Sequence, residues 1–175
     1  MGTRGNVIIK ESDNGKILVN MYHHMDSYPS GLGLQLSEFL KDRIIVNGIS
    51  LSESRKISNG IMDLAAQIVT LLKGSPENSG GVYIQRPETV LSILKDPNDY
   101  TYIIYPVNET KIGVGYNNKP FKYKKETTGI IIIVYNWKNK IFTGTADEFD
   151  IWINESIINE KAEIAVQKLI NDIPY

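Results

Sequence analysis

Apolar residues recur along the chain with two periods, and the change from one to the other marks out the elements. Two Ile- and Val-rich runs, over 4–11 and 16–25, flank Asp13-Asn14-Gly15. Runs of this kind around Asn-Gly predict a β-hairpin, because the tightest hairpin turns need positive φ. Pro29 and Ser30 then read as a helix start, with Leu32, Leu36, Phe39, Leu40 and Ile44 on one face of a helix over 30–45. Ser58 can cap a second helix over 58–73. Its Ile61, Leu64, Ala65, Ile68, Leu71 and Leu72 follow helical spacing, and Gly74 suits its end.

The second half reads mostly as strands. Val82-Tyr83-Ile84 predicts a short one, followed by a short helix within 87–95 that turns Val90, Leu91 and Leu94 inward and stops at Pro97. Strands are expected at 100–106, at 111–116 pairing back on it, and at 121–125. The unbroken apolar run of 130–137 suits a central strand buried on both faces. Lys138-Asn139-Lys140 turns the chain, 141–144 returns, and 149–153 reads as one more strand. From 155 to 172 the period is helical, with Ile157, Ile158, Ile164, Ala165, Leu169 and Ile170. The sum is a single compact α+β domain over 1–175. It has a mostly antiparallel sheet, an N-terminal β-hairpin and helices packed on one face. Its parts are a hairpin-helix motif (1–46), a helical segment (58–73), a strand-rich part (82–153) and a C-terminal helix (155–172).

Composition narrows the function classes. With 175 residues, 42% hydrophobic and 22% charged, the chain has the makings of a folded core. Nineteen Lys and Arg against 20 Asp and Glu leave a net charge of −1, which speaks against a protein built around a nucleic-acid field. The absence of cysteine removes disulfides, thiol nucleophiles and Cys-ligated metals. No motif calls for a cofactor or a metal. The start of the sequence carries no secretory pattern and no apolar run approaches a membrane span, so a cytoplasmic protein is expected, in the host cytoplasm if viral.

The candidate chemistry lies where the second predicted strand ends, in Tyr22-His23-His24-Met25-Asp26. Alternation places Tyr22, His24 and Asp26 on one face and His23 and Met25 on the other. A carboxylate at Asp26 would favour the imidazolium of His24. The two histidines point apart, which speaks against a metal pair. Beyond them Ser27-Tyr28-Pro29-Ser30-Gly31-Leu32-Gly33 predicts a glycine-bearing helix start whose N–H groups attract anions. The hairpin returns this end to Arg4. Together Arg4, Tyr22, His24, Asp26, Tyr28, Ser30, Gly31 and Gly33 form a candidate site for a phosphate or carboxylate. The plainer alternative is a structural clamp, with Asp26 or Ser27 capping the helix, His24 stacked on Tyr22 or Tyr28, and Arg4 paired to Asp26.

The same residues carry a resemblance. Met1-Gly2-Thr3-Arg4-Gly5, a hairpin, and then Tyr22, His24, Asp26, Tyr28, Pro29, Gly31 and Gly33 are similar to a group of short proteins from phages, other mobile elements and microbial genomes. That group opens with MGTRG- or MSTRS-like residues and carries a Y-x-H-x-D-x-Y-P-x-G-x-G-like segment. Met25 departs from it, where an aromatic is frequent. The resemblance covers roughly the first 45 residues. It implies no activity, but it favours a functional corner.

The leading expectation is a non-catalytic binding or accessory factor of viral or mobile-element type, holding a nucleotide or phosphate. One alternative is a hydrolase. The Gly2-Thr3 junction resembles the start of N-terminal-nucleophile hydrolases, in which Thr3 would attack after cleavage before it; His24 and Asp26 could instead act as an acid–base pair. Another is a protein–protein interaction module using Tyr100, Tyr102, Tyr105 and Tyr116. Lys119-Pro120-Phe121-Lys122-Tyr123-Lys124-Lys125 could track a nucleic-acid backbone, but lysine-guarded edge strand is the reading that fits the net charge. Asp147, Glu148 and Asp150 read as a solvated acidic loop.

Overall fold

The structure is a computed structural model. It describes residues 2–46, 56–75, 77, 81–86, 88–107, 110–114, 120–124 and 129–171, with backbone alone at 110–114, 120–124 and 169–171. The N-terminal hairpin forms as expected from β1 (Gly5–Lys10) and β2 (Ile17–His23), in register Val7 to Met21. Its turn is not the tight Asn-Gly kind. Glu11 N–H donates to Lys16 O and Gly15 N–H to Ser12 O, and neither Asn14 nor Gly15 has positive φ. A longer loop and a bulge at Ile9/Lys10 absorb the turn instead.

The hairpin seeds a six-stranded sheet with β5 (Val82–Gln85), β6 (Tyr100–Pro106), β9 (Ile130–Asn136) and β10 (Asn139–Thr145). The strand order is β10-β9-β6-β1-β2-β5. All neighbours are antiparallel except β1 and β6. The domain is therefore α+β with a mostly antiparallel sheet. The run at 130–137 is not a doubly buried central strand: β9 stands next to the edge strand β10, and its buried positions alternate with half-buried ones. Two short ladders stand apart, β3 (Ile44–Val46) with β4 (Ile57–Asn59), and β7 (Thr110–Val114) with β8 (Pro120–Lys124). The segment at 110–114 thus pairs with β8 rather than folding back on 100–106.

One face of the sheet carries Val7, Ile9, Met21, Tyr102, Ile104, Ile132 and Val134, all buried. Against it pack Leu36 and Leu40 of α1 (Leu34–Leu40), Leu64 and Ile68 of α2 (Gly60–Lys73), and Phe149 and Ile153 of the C-terminal helix. Among the described residues the second face is nearly bare of helix, and only the four-residue α3 (Val90–Ile93) lies on it, setting Ile93 over Ile8 and Ile103. Leu91, expected inward, is 77% exposed, because so short a helix turns only one side chain fully into the sheet.

The predicted helix over 30–45 is broken into three. A π-helical turn (Pro29–Gly33) leads into α1, which ends at Leu40 before the chain extends into β3. Ser58 does not cap α2. It is buried in β4 and donates to Gln67 Oε1 at 2.6 Å, while Asp63 reaches back to accept the Asn59 N–H at 2.8 Å. The largest correction is at the C-terminus, where α4 (Ala146–Asn171) begins nine residues earlier than expected and absorbs the predicted strand at 149–153. Its start is a reciprocal cap: Thr145 N–H donates to Glu148 Oε2 at 2.7 Å, and Glu148 N–H to Thr145 Oγ1 at 3.3 Å. The acidic residues are thus helical rather than a solvated loop. Asp150 accepts from Lys41 Nζ and Ser37 Oγ, each at 2.7 Å, which binds α4 to α1 and holds its carboxyl below the ordinary range. Among the described residues no helix is long and apolar enough to cross a membrane.

Candidate functional site

The corner at the end of β2 is built by a chain reversal that alternation does not foresee. Strand geometry stops at His23, and Asp26 takes a left-handed φ of 56°. Its carbonyl accepts the Leu32 N–H at 2.8 Å, while Tyr28 O accepts the N–H groups of Gly31 (3.0 Å) and Gly33 (3.3 Å). The N–H groups expected to be free for an anion are therefore engaged within the turn. Ser30 Oγ donates to Glu160 of α4 at 2.7 Å, so a carboxylate already stands at this helix start.

Ser27 fastens the corner to the sheet. Its N–H donates to Thr3 O (3.1 Å), its carbonyl accepts the buried Tyr102 hydroxyl (2.9 Å), and its Oγ meets His23 Nδ1 (3.0 Å). Burial pushes the Tyr102 hydroxyl far above the usual tyrosine range, so it remains a donor. Ser27 is fully buried, and Gly33 packs where a Cβ would meet Ile153 Cδ1 at 2.8 Å. Asp26, Tyr28, Ser30, Gly31 and Gly33 accordingly belong to the tie between β2 and the helices.

Burial also pushes the His23 imidazole down, overcoming the raising pull of the Asp26 carboxylate. A depressed folded pKa contributes stability that is complete above the unfolded value near 6.5 and is lost as pH falls through the folded one. Urea unfolding should therefore show stability declining from about pH 7 toward pH 5, above the ordinary range of the carboxylates. In His23→Gln that slope should flatten; an unchanged slope would remove His23 from the account.

Tyr22 and His24 come together on the second face of the sheet, and the Arg4 backbone lies at the same end of the hairpin. Gly5 stands opposite His23, so Arg4 and His24 are the next residues along their strands. Tyr22 hydroxyl and His24 Nδ1 lie 3.0 Å apart, and the Tyr22 ring leans on that of Tyr83, 6.1 Å between centroids. No hydrogen bond or ion pair links Asp26 to His24 among the described residues. Arg4 is exposed. Its backbone N–H donates to Asp99 Oδ2 at 2.8 Å, while its guanidinium has no ion-pair partner among the described residues. Thr3 is half-buried, its carbonyl held by Ser27.

Sequence reasoning missed what adjoins this trio. One row crosses four strands, Thr101-Asn6-Tyr22-Tyr83, and the next sets Asn20 opposite Gln85. Asn6, Asn20, Gln85 and Asn98 are hydrogen-bonded to one another along the wall of a cavity of about 430 Å³. Asn at strand positions, where β propensity disfavours it, was the only signal available.

The tyrosines do not make one exposed surface. Tyr102 is fully buried, and Tyr100 stacks beside it at 6.5 Å on the helix-covered side. Tyr105 lies on the other face, and Tyr116 is outside the described residues. So are Lys119 and Lys125. No cluster of three or more His, Asp or Glu able to hold a metal occurs among the described residues.

Comparison with known proteins adds no relative. No family model, curated protein or solved structure matches the chain.

Proposed function

We propose that the protein is a small non-catalytic binding factor that holds an anionic group, a phosphate or the phosphate of a nucleotide, at Arg4 and His24. The observation that carries this reading is exposed Arg4, its guanidinium without an ion-pair partner among the described residues, one position beyond the Gly5–His23 pair that the Tyr22-supported His24 also follows. A guanidinium and an imidazole give charge-assisted hydrogen bonds to an oxyanion. Contact of His24 with a tyrosine hydroxyl, rather than with a carboxylate or a nucleophile, supports binding over hydrolysis. The turn at Ser30, Gly31 and Gly33 takes a supporting role, because its own groups are engaged. The likeness of the first residues to phage and mobile-element proteins supports an accessory role in a cell or host cytoplasm.

Titration with inorganic phosphate, followed by NMR, tests the reading. Phosphate should shift the His24 ring and Arg4 resonances. Arg4→Ala should weaken that binding roughly 10-fold or more, the scale of hydrogen bonds to charged groups. Its stability should stay within about 0.5 kcal/mol of the parent, as for an exposed side chain. Equal phosphate affinity in parent and variant would sink the proposal.

A further inference from the structure

Four carboxamides gather on the second face of a sheet whose buried cluster is otherwise built on Ile8, Ile93 and Ile103. Asn6 and Asn20 are 2% and 3% exposed. Asn98 Nδ2 donates to Asn6 Oδ1, and Asn6 Nδ2 donates to Asn20 Oδ1 (3.1 Å) and Gln85 Oε1 (3.0 Å). Asn20 Nδ2 adds a longer bond to Gln85 Oε1 at 3.4 Å. Beside them Thr101 Oγ1 is buried with no hydrogen-bond partner among the described residues. Amides buried at strand positions are costly unless their polar groups are satisfied, and an apolar set would stabilise the sheet more simply.

These bonds leave a directional remainder. The oxygens of Asn6, Asn20 and Gln85 are engaged as acceptors. Asn98 Oδ1 and Gln85 Nε2 make no hydrogen bond among the described residues, leaving an acceptor oxygen and a donor amino group on the same wall. Opposed charges line the cavity, Arg86 against Glu88 and Asp96, so it favours neither a bare anion nor a bare cation. Its volume of about 430 Å³ falls within the range of small-molecule clefts. In the adjoining row Tyr22 and Tyr83 offer ring surface, and Tyr83 is 52% exposed.

We propose that this cavity binds a nucleobase, with Gln85 and Asn98 reading its donor–acceptor edge and the tyrosine pair bordering it. Carboxamides match such edges because they present a donor and an acceptor side by side, as adenine does in return. Aromatic rings supply stacking that every base can use. Asn6 is two residues along the chain from Arg4, which precedes β1, about 7 Å for an extended backbone. A base in the cavity and a phosphate at Arg4 and His24 would thus belong to one nucleotide, and in joining them the inference rests on the reading above.

Adenosine, guanosine, cytidine and uridine carry the base without phosphate, and with inorganic phosphate they separate the two ideas. At least one nucleoside should raise Tm by roughly 5–10 °C when present at about 100 times its Kd. It should also shift the side-chain amide resonances of Asn20, Gln85 and Asn98. Gln85→Ala, at an exposed edge-strand position, should weaken nucleoside binding roughly 5- to 100-fold. Asn98→Ala should act in the same direction, and Ile151→Ala, exposed on α4, should leave nucleoside affinity unchanged. Failure of all four nucleosides to bind, or parent-like affinity in both amide variants, overturns the inference. Phosphate binding without nucleoside binding removes the base site and keeps the anion reading; nucleoside binding without phosphate binding does the reverse.

Discussion

Phe149→Ala is expected to cost about 3–5 kcal/mol, the largest loss from any single truncation considered for this fold. Phe149 is fully buried between α4 and the sheet. Its ring lies 5.4 Å from that of Phe142, 5.8 Å from Trp152 and 6.4 Å, edge-on, from Tyr102. Removing it opens a cavity among rings that cannot collapse toward one another without leaving their rotamers. Urea unfolding followed by tryptophan fluorescence measures the loss, since Trp152 stacks on the deleted ring. Ile151→Ala is the control: it is 60% exposed on the same helix and should change stability by no more than about 0.5 kcal/mol. Comparable losses in the two variants would mean that α4 does not present Phe149 to the core.

Gly31→Ala is expected to cost about 3 kcal/mol, through one atom. A Cβ at this position would stand 2.3 Å from the carbonyl oxygen of Asp26 and 3.1 Å from the Tyr28 ring. The oxygen cannot yield freely, because it accepts the Leu32 N–H that closes the turn. Overpacking of this kind costs about 1–3 kcal/mol, and loss of the hydrogen bond adds about 1 kcal/mol. For a chain of this length the drop in Tm should be roughly 6–12 °C. Gly60→Ala separates crowding from backbone strain. Gly60 has φ +80° and nothing within 4 Å of a Cβ, so only the left-handed conformation, about 1–2 kcal/mol, is at stake. A Gly31 variant no less stable than the Gly60 variant would refute the close approach.

Both substitutions bear on function, because they act on the frame that brings the strand ends together. The Asp26–Leu32 bond and the contacts of Ser27 fix where β2 stops, and so where His24 stands relative to Arg4. The corner read from the sequence as one site divides along that line. Asp26, Tyr28, Ser30, Gly31 and Gly33 hold the chain on the helix side, while Tyr22 and His24 remain on the second face with the carboxamides and Arg4 precedes β1 at the adjoining end. A ligand on that face need not touch the turn for mutations in the turn to weaken its binding.

What was legible in the sequence is what local periodicity carries. Val7, Ile9, Val19 and Met21 alternate around a turn, which is enough to pair β1 with β2 and to bring Arg4 back to His24. The 3.6-residue spacing of Leu64, Ala65 and Ile68 was enough for α2. At 149–153 the periodicity misled, because Phe149, Ile151 and Ile153 alternate like a strand while Phe149 and Ile153 also sit one helical turn apart. The Thr145–Glu148 cap decides between the two. Tertiary structure alone decided the rest. Alternation could not foresee the left-handed Asp26 that frees His24 from any bond to it, nor the Glu160 carboxylate that reaches Ser30 from 130 residues away. Nor could it assemble Asn6, Asn20, Gln85 and Asn98. Their bonds depend on β1 meeting β6 and β2 meeting β5, partners far apart in sequence, and such pairings follow from burial of the whole sheet rather than from any local preference.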